Sequence, residues 1–494
     1  MSEAERESRR ARLEALRQQG IEPYPARTGA RQPIAQVRRE LETQDAAALD
    51  EQARRIAIAG RITSMRSFGR LRFFDLVEDG ARIQASARSG EAPDAVFQLL
   101  DQLDVGDFVR VEGCAWRTRT GELTVAAEAL QLLAKSLRPL PEKWHGLADV
   151  EARFRQRYLD LLVNEEVRRV ALVRSRTVSA IRAFLDARGF LEVETPMLQP
   201  LYGGAAARPF TTHHNLYGQD LYLRISDELY LKRLIVGGID RVYEVGRNFR
   251  NEGVSRKHNP EFTMMECYQA FADYGEMMEL AHDMLQEVAE RVLGRLSVTF
   301  QGKEIDFSGA WPKHTMREAI LEATKVDILD PAASTPERLT ALLKRHKLEI
   351  EPQATWGKTV DELFSKFVEP SLVQPTFIID YPLELSPLAK RKPDDPRLVE
   401  RFELFVAGME LGNAFSELND PDDQRARFER ARRDAQAGDE EAHPMDEDYL
   451  RALEHGMPPT GGLGIGVDRV AMVLADAPSL RETILFPHLR PEHS

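Results

Sequence analysis

Cysteine is nearly absent from this chain. Only Cys114 and Cys267 occur among 494 residues, and they lie far apart without the spacing of metal ligands. A disulfide framework and a zinc site are therefore not indicated. A reducing cytosol fits this composition best, and we predict a cytoplasmic protein.

Long apolar segments are also missing. No stretch is long enough to span a bilayer, and the N-terminus is charged rather than apolar, so we predict neither membrane insertion nor secretion. The sequence contains no internal repeat. At 494 residues it is too long for a single core, which predicts two or three domains.

Lysine is lacking from the front of the chain. Residues 1–72 contain fifteen arginines and no lysine against ten acidic residues, whereas the whole chain has a net charge of −13. A basic front on an acidic body is compatible with a local nucleic-acid footprint, because phosphate contact needs only a patch. A solvated Arg/Glu helix is the alternative for residues 3–17.

The pattern along the chain predicts two structured domains. Residues 1–50 read as an N-terminal helical appendage. Residues 51–137 contain short alternating segments separated by turn signals, which is typical of a small closed barrel that binds oligonucleotides. A barrel with an ordinary charged exterior is the alternative.

A proline-containing linker over residues 138–155 precedes the second domain. In residues 156–494 strand-like runs meet in hairpins and are interrupted by helical segments. Strict strand–helix alternation is lacking, so we predict an α+β fold with an antiparallel sheet flanked by helices.

Residues 241–269 predict an antiparallel hairpin with a functional face. Arg250 ends the first strand, and period two aligns four side chains on one face of the second: Phe262, Met264, Glu266 and Tyr268. A guanidinium group forms bidentate hydrogen bonds with phosphate oxygens, and an aromatic ring stacks on a base, so this surface suits a nucleotide. A solvated charged face is the alternative.

Residues 401–420 predict a second hairpin, with its turn at residues 407–408. Glu403 and Glu410 would then face each other across the strands, and two converging carboxylates suit magnesium together with phosphate oxygens. Period two also places three side chains on one face of the second arm: Asn413, Phe415 and Glu417. Solvated glutamates are the alternative.

Residues 461–476 combine glycines, a strand and the start of a helix at Asp468 and Arg469. An arginine in the first helical turn reaches an anionic group, and glycine allows a ligand to come close. We read the glycines as preceding the strand, so the dinucleotide fingerprint is lacking. A tight turn without a ligand is the alternative.

Together these segments resemble the class II lysyl-tRNA synthetases. RGFLEVETPML, FRNEGVSRKHNPEF and GLGIGVDR resemble the three class II motifs in their order, and segments such as HNPEFTMME and FSELND are highly specific. The resemblance implies an N-terminal OB-fold barrel that reads the tRNA anticodon. It also implies a catalytic domain that forms a homodimer partly through the motif around Pro196.

The resemblance further implies roles for individual residues, matched position by position. Those for ATP are Arg250, Glu252, His258, Asn259, Phe262 and Arg469, with Arg250 and Arg469 catalytic. Those for lysine are Gly204, Glu228, Glu266, Tyr268, Asn413, Phe415 and Glu417. Magnesium would be held by Glu403 and Glu410, and the anticodon would be contacted by Phe73 and Glu122.

The implied activity is that of a lysine–tRNA ligase, which activates L-lysine with ATP to lysyl-adenylate and transfers lysine to the 3′ end of tRNA(Lys). A lysine ammonium needs close carboxylates and a hydroxyl to replace its water. Two rivals are a paralogue that modifies a protein, which generally lacks the barrel, and a catalytically silent RNA-binding protein. The latter predicts loss of Arg250, Glu403, Glu410 or Arg469.

Three positions depart from the family pattern. Asp227 adds a negative charge beside the predicted lysine pocket, Ala414 replaces a glycine, and Val77 occupies a barrel position that is often polar. None of these departures removes a matched catalytic position.

Overall fold

The computed structural model describes residues 3–141, 147, 149–436 and 443–491. It divides into two compact units, Met1–Gly146 and Leu147–Ser494. The predicted linker, residues 138–155, lies partly outside the described residues, at 142–146 and 148. Within the described ranges, no helix combines the length and apolar character that a bilayer crossing requires.

The first unit contains a closed five-stranded barrel. Its strands are β1 (Arg55–Phe68), β2 (Leu71–Glu78), β3 (Ala81–Arg88), β4 (Phe108–Arg117) and β5 (Leu123–Ala134), in the order β1-β2-β3-β5-β4. The β3–β5 pair is parallel and the other pairs are antiparallel. Burial alternates along β4, so one face of the strand fills the interior. The predicted OB-fold is confirmed.

The helices of this unit are α1 (Glu3–Gln18), α2 (Ile34–Leu41), α3 (Ala46–Gln52) and α4 (Asp94–Leu100). The N-terminal helices contribute Leu16, Val37 and Leu49 to the same hydrophobic core as barrel residues such as Phe74 and Val111. Asp45 caps α3 by accepting a hydrogen bond from the amide of Ala48. The segment predicted as an appendage therefore shares the core of the barrel.

The second unit is built on an eight-stranded sheet. Its strands, in spatial order, are β14 (Lys313–Thr315), β15 (Thr376–Pro382), β16 (Leu398–Val406), β17 (Met409–Ser416), β18 (Thr460–Gly466), β11 (Glu261–Ala270), β10 (Arg241–Phe249) and β6 (Leu191–Glu192). The six central strands are antiparallel, as predicted, whereas both edge strands pair in parallel. The α+β fold is confirmed.

The remaining elements surround this sheet. Two small sheets contain β7 (Leu198–Gln199), β8 (Thr211–His214) and β9 (Gln219–Leu223), and β12 (Ser297–Phe300) with β13 (Lys303–Asp306). The helices are α5 (Val150–Arg155), α6 (Arg157–Val163), α7 (Glu165–Asp186), α8 (Glu228–Val236), α9 (Tyr274–Leu293), α10 (Met316–Thr324), α11 (Pro336–Arg345), α12 (Trp356–Phe367), α13 (Pro421–Gln436), α14 (Glu447–Glu454), α15 (Val467–Leu474) and α16 (Leu480–Thr483).

Packing of helices on one face of the large sheet determines where the polar side chains lie. Phe184 of α7 and Met284 of α9 are fully buried in one core with Phe402 and Leu404 of β16. Successive side chains of a strand point to opposite faces. Glu403, between Phe402 and Leu404, therefore points to the face opposite those helices.

Candidate active site

A cavity of about 1040 Å³ lies on the polar face of the large sheet. Every residue predicted to contact ATP, lysine or magnesium lines it. These residues are Gly204, Glu228, Arg250, Glu252, His258, Asn259, Phe262, Glu266, Tyr268, Glu403, Glu410, Asn413, Phe415, Glu417 and Arg469. The fold thus brings together segments that are more than 250 positions apart in sequence.

Strand alternation places the aromatic and acidic side chains of β11 in this cavity. Phe262, Met264, Glu266 and Tyr268 all line it, which confirms the predicted face. Arg250 directly follows β10, and its guanidinium carbon lies 5.2 Å from the centre of the Phe262 ring. Its buried Nε has no hydrogen-bond partner among the described residues. A buried donor of this kind is available to an anionic ligand.

The loop between β10 and β11 is held by local hydrogen bonds. Ser255 Oγ lies 2.9 Å from Nδ1 of His258, and Asn259 Nδ2 donates to the Glu261 carbonyl oxygen at 2.6 Å. The buried Oδ1 of Asn259 has no partner in the described part of the chain. Glu252 is exposed at the mouth of the cavity.

The β16–β17 hairpin turns at Ala407 and Gly408, both with positive φ, as predicted. Its register corrects one expectation. Glu403 pairs with Asn413 and Glu410 pairs with Phe405, so the two glutamates are not directly opposite each other. An irregularity after residue 404 shifts the pairing and offsets the two carboxyl groups along the hairpin.

Glu403 and Glu410 nevertheless act on each other electrostatically. Burial raises the pKa of Glu403, and the negative charge of Glu410 raises it further. Glu403 also accepts hydrogen bonds from Tyr381 Oη at 3.0 Å and Arg401 Nη2 at 2.6 Å. A divalent cation would relieve the repulsion between the two carboxylates.

The donor set fits magnesium rather than a metal held entirely by protein. No cluster of three or more His, Cys, Asp or Glu side chains suited to a metal occurs among the described residues. Mg²⁺ is commonly bound by one or two carboxylates and completes its shell with water and substrate phosphates. Two glutamates on the wall of a roomy cavity match that requirement.

Arg469 connects the third motif with this hairpin. It lies in the first turn of α15, and its Nη1 donates to the Glu410 carbonyl oxygen at 2.6 Å and to Oε2 of the same residue at 3.2 Å. The guanidinium is therefore fixed beside one of the two glutamates.

Three buried glutamates form the other end of the cavity. Glu228, Glu266 and Glu417 are 5%, 5% and 2% exposed. Glu266 accepts hydrogen bonds from Ser226 Oγ at 2.9 Å and Tyr268 Oη at 3.1 Å. Burial raises the pKa of Glu266 well above its ordinary value, and the charge of Asp227 raises it further. This end of the cavity suits a cation that donates hydrogen bonds, because such a cation would compensate the buried carboxylates.

Two glycines make room for these acids. At Gly204, with φ of 86°, a Cβ atom would lie 2.7 Å from Ser226 Oγ. At Gly462 a Cβ atom would collide with the carboxylate of Glu417 and the ring of Tyr268. Because β18 spans Thr460–Gly466, the glycines at 461–466 lie inside the strand and do not precede it, contrary to our prediction. At Gly462 the backbone lines the pocket because no side chain fits there.

Two charged side chains near the predicted site, Lys232 and Arg401, were not predicted from the sequence. Lys232 is fully buried and donates to Glu228 Oε1 at 2.5 Å. Arg401 donates to Asn413 Oδ1 at 3.0 Å and also pairs with Glu403. Spacing would have identified both, because i,i+4 positions share a helix face and i,i+2 positions share a strand face.

The residues predicted to contact an anticodon lie in the barrel unit. Phe73 of β2 is partly exposed, and its ring centre is 6.3 Å from that of Phe68 in an edge-on arrangement. Glu122 immediately precedes β5 and accepts a hydrogen bond from Arg82 Nη2 at 2.7 Å. Arg82 also pairs with Asp75 at 3.0 Å.

Comparison with known proteins agrees with this geometry. Residues 149–490 match the family model of tRNA synthetases class II (D, K and N), and residues 56–133 match that of the OB-fold nucleic acid binding domain. The chain is 54% identical to the lysine–tRNA ligase of Roseiflexus sp. (strain RS-1) over 98% of each chain. It is 53% identical to that of Moorella thermoacetica over 99% of each chain. The corresponding protein of Chloroflexus aurantiacus is 53% identical over 98% of this chain and 97% of its own. The chain therefore belongs to the class II tRNA synthetases.

Proposed function

We propose that this chain is a lysine–tRNA ligase. It activates L-lysine with ATP to lysyl-adenylate and pyrophosphate, and then transfers the lysyl group to the 3′ end of tRNA(Lys). The observation that carries this proposal is the group of buried glutamates at residues 228, 266 and 417, in the same cavity as Arg250 and Phe262.

ATP binds where the β10–β11 hairpin meets the start of α15. The adenine ring stacks on Phe262, the polar groups of Glu252, His258 and Asn259 surround the nucleotide, and Arg250 and Arg469 contact its phosphates. This arrangement uses the donors that are positioned around the cavity, including the unpartnered Nε of Arg250. Guanidinium groups bind phosphate oxygens in a forked geometry.

Glu403 and Glu410 would hold Mg²⁺, which would supply neutralisation of phosphate charge when bound. No protein nucleophile or general base is needed, because the lysine carboxylate itself attacks the α-phosphorus in line and pyrophosphate leaves. The residues of the chain hold the two substrates in line, and Arg250 stabilises the charge that develops on the phosphorus oxygens.

The lysine substrate lies in the acidic end of the cavity. Its α-amino group is bound by Glu228 and the backbone at Gly204, and its ε-ammonium is bound by Glu266, Tyr268 and Glu417. Asn413 and Phe415 complete the pocket wall. An aspartate side chain would be repelled by the same carboxylates, and an asparagine side chain would leave them uncompensated.

The barrel supplies recognition of tRNA(Lys), with Phe73 stacking on an anticodon base and Glu122 bonding to a base edge. Its presence argues against a paralogue that modifies a protein. Retention of Arg250, Glu403, Glu410 and Arg469 argues against a catalytically silent RNA-binding protein.

The protein is proposed to work in the cytoplasm as a homodimer. The motif around Pro196 exposes three apolar side chains, Leu191, Met197 and Leu198, at 52%, 45% and 50%. A cluster of half-exposed apolar residues is typical of a surface that is covered in an assembly.

The test is ATP–pyrophosphate exchange with each of the twenty amino acids, followed by charging of tRNA(Lys). We expect the rate of exchange with L-lysine to exceed that with aspartate or asparagine by about 10⁴-fold or more. Neither of these side chains provides a cation to pair with the buried carboxylates. Exchange driven best by another amino acid, or charging of a tRNA other than tRNA(Lys), would refute the assignment.

A further inference from the structure

Lys232 is a buried cation that contacts two of the glutamates at the acidic end of the cavity. It lies on α8, one turn after Glu228, and is 0% exposed. Its Nζ donates to Glu228 Oε1 at 2.5 Å and also contacts the carboxylate of Glu417. The ring of Phe415 lies 5.3 Å away. Lys232 therefore contacts two glutamates that lie almost 190 positions apart in the sequence, one on α8 and one directly after β17.

The other titratable groups around Lys232 come from three further elements. Tyr449 of α14 and His443, which precedes that helix, are both buried, and the neighbouring charge of Lys232 acts on both. Burial and that charge lower the pKa of His443 to about 4, so its ring is neutral at pH 7. Glu266 and Tyr268 face the same pocket from β11, and Arg401 acts on Glu228 from β16.

The negative charge of the pocket links Lys232 to the ligand. Four buried carboxyl groups cluster at this end of the cavity, on Asp227, Glu228, Glu266 and Glu417. Burial raises the pKa of Glu228 and Glu417, and the positive charge of Lys232 opposes that rise in both. Lys232 contacts these two carboxyl groups directly and so offsets part of the negative charge. The two ammonium groups of a bound lysine would offset more of it.

We propose that Lys232 is a positioning residue, an internal cation that keeps Glu228 and Glu417 ionised and in place so that the pocket accepts a ligand with two ammonium groups. This inference rests on the proposed function and deepens it. Lys232 does not touch the substrate; it acts through the two carboxylates that do. A buried carboxylate that loses its only direct cationic partner takes up a proton and no longer attracts an ammonium group.

The test replaces Lys232 by Met, which keeps the length but removes the charge, and by Gln, which also keeps an N–H donor. In ATP–pyrophosphate exchange at pH 7 we expect both variants to raise the KM for lysine by about tenfold or more. The KM for ATP should stay within about twofold of wild type, because the nucleotide residues lie elsewhere in the cavity.

The pH dependence separates a charge effect from loss of packing. In the variants, the ratio of the lysine KM to that of wild type should fall as the pH rises from about 7 to about 8.5, because the protonated carboxyl ionises again. Loss of packing alone would raise the KM by the same factor at every pH. Arg233→Met is the matched control, since Arg233 follows on the same helix and pairs with Asp446 at 2.9 Å.

The outcomes are separable. A lysine KM within about twofold of wild type for both folded variants, or a KM ratio that does not change with pH, would overturn the role of Lys232. If Lys232→Met fails to fold by circular dichroism, Lys232→Gln decides the question, and the loss of folding in both overturns the role in favour of a purely structural ion pair. Failure of the wild-type protein to activate lysine would instead refute the proposed function.

Discussion

Glu266 combines nearly complete burial with two hydroxyl donors, Ser226 and Tyr268, and a neighbouring carboxyl group on Asp227. Such a site is costly without a ligand, because the charged form of the acid is desolvated and lies near other negative charges. A bound ammonium group compensates this cost. At the scale of residues, we therefore expect the selectivity for lysine to depend on acids that are poorly satisfied when the pocket contains no cation.

Replacement of Glu266 by Gln should therefore impair lysine binding selectively. We expect the lysine KM in ATP–pyrophosphate exchange to rise by about 10- to 100-fold, the cost of losing a charge-assisted hydrogen bond, while the KM for ATP stays unchanged. Glu261→Gln is a matched control, because Glu261 lies on the same strand but is exposed. Equal lysine KM values for Glu266→Gln and wild type would contradict the assigned role.

The raised pKa of Glu266 also predicts a pH dependence. A carboxyl group with a raised pKa is protonated at higher pH than usual, and protonation removes its attraction for an ammonium group. The lysine KM of the wild-type protein should fall as the pH rises from about 6 to about 8, and this slope should be shallower in Glu266→Gln. Steady-state exchange at several pH values measures it, and identical slopes for the two proteins would disprove the prediction.

Arg250 should be required for turnover rather than for lysine binding. Removal of a guanidinium that stabilises developing phosphate charge is expected to lower kcat for exchange by about 10²- to 10³-fold in Arg250→Ala. Arg247→Ala provides the comparison, since Arg247 lies on β10 just before Arg250, is outside the cavity and pairs with Glu261 at 3.6 Å. Near-normal turnover by Arg250→Ala would remove this residue from the mechanism.

At the scale of elements, β18 shows how glycines on one face of a strand create a pocket. It lies between β11 and β17, and its glycines leave the space that Tyr268 and Glu417 occupy. Strand register sets the edges of the pocket. Gly462 of β18 pairs with Tyr268 of β11 on one side and with Phe415 of β17 on the other. The position of the acids thus depends on the absence of a Cβ atom.

Gly462→Ala should disturb the pocket because the added methyl group meets Glu417 and Tyr268. We expect an increase of about tenfold or more in the lysine KM and a loss of about 1–3 kcal/mol in stability, typical of overpacking a close contact. Gly466→Ala on the same strand is the control, since its Cβ atom would have contacts no closer than 3.7 Å. Thermal unfolding and exchange kinetics report the two effects, and a Gly462→Ala protein that matches this control in both would argue against the steric role.

Periodicity predicted much of this architecture. Alternation correctly placed Phe262, Met264, Glu266 and Tyr268 on one face, because strand geometry alone determines that outcome. It did not predict the offset between Glu403 and Glu410, since a local irregularity in pairing depends on tertiary contacts. The i,i+4 spacing with Glu228 was available for Lys232, but its contact with Glu417 depends on the tertiary fold.

At the scale of the whole molecule, each of the two units has its own hydrophobic core. The barrel core includes Phe74, Val111 and Leu16, whereas the sheet of the second unit packs on a separate core with Phe184 and Met284. All residues that line the cavity lie between positions 204 and 480, within the second unit. We therefore expect the chemistry of activation to be contained in the second unit.

A chain that begins at residue 147 should retain lysine-dependent exchange but lose efficient charging of tRNA(Lys). We expect exchange within about threefold of the full-length rate, and a fall of at least about 10²-fold in kcat/KM for tRNA, because base stacking and phosphate contacts in the barrel are removed. Phe73→Ala in the full-length chain should weaken charging alone. Loss of exchange in a folded truncated chain, or undiminished charging, would contradict this division of labour.

The glycines of β18 also limit how the substrate preference of this fold can evolve. Because glycine is the smallest residue, a substitution at Gly462 can make the pocket smaller but never larger. Space for a bulkier amino acid would instead require shorter side chains elsewhere in the pocket wall, such as Tyr268 and Phe415, or the acids themselves. Where an acid is shortened or lost, a change in the size of the substrate is coupled to a change in the charge that it must carry.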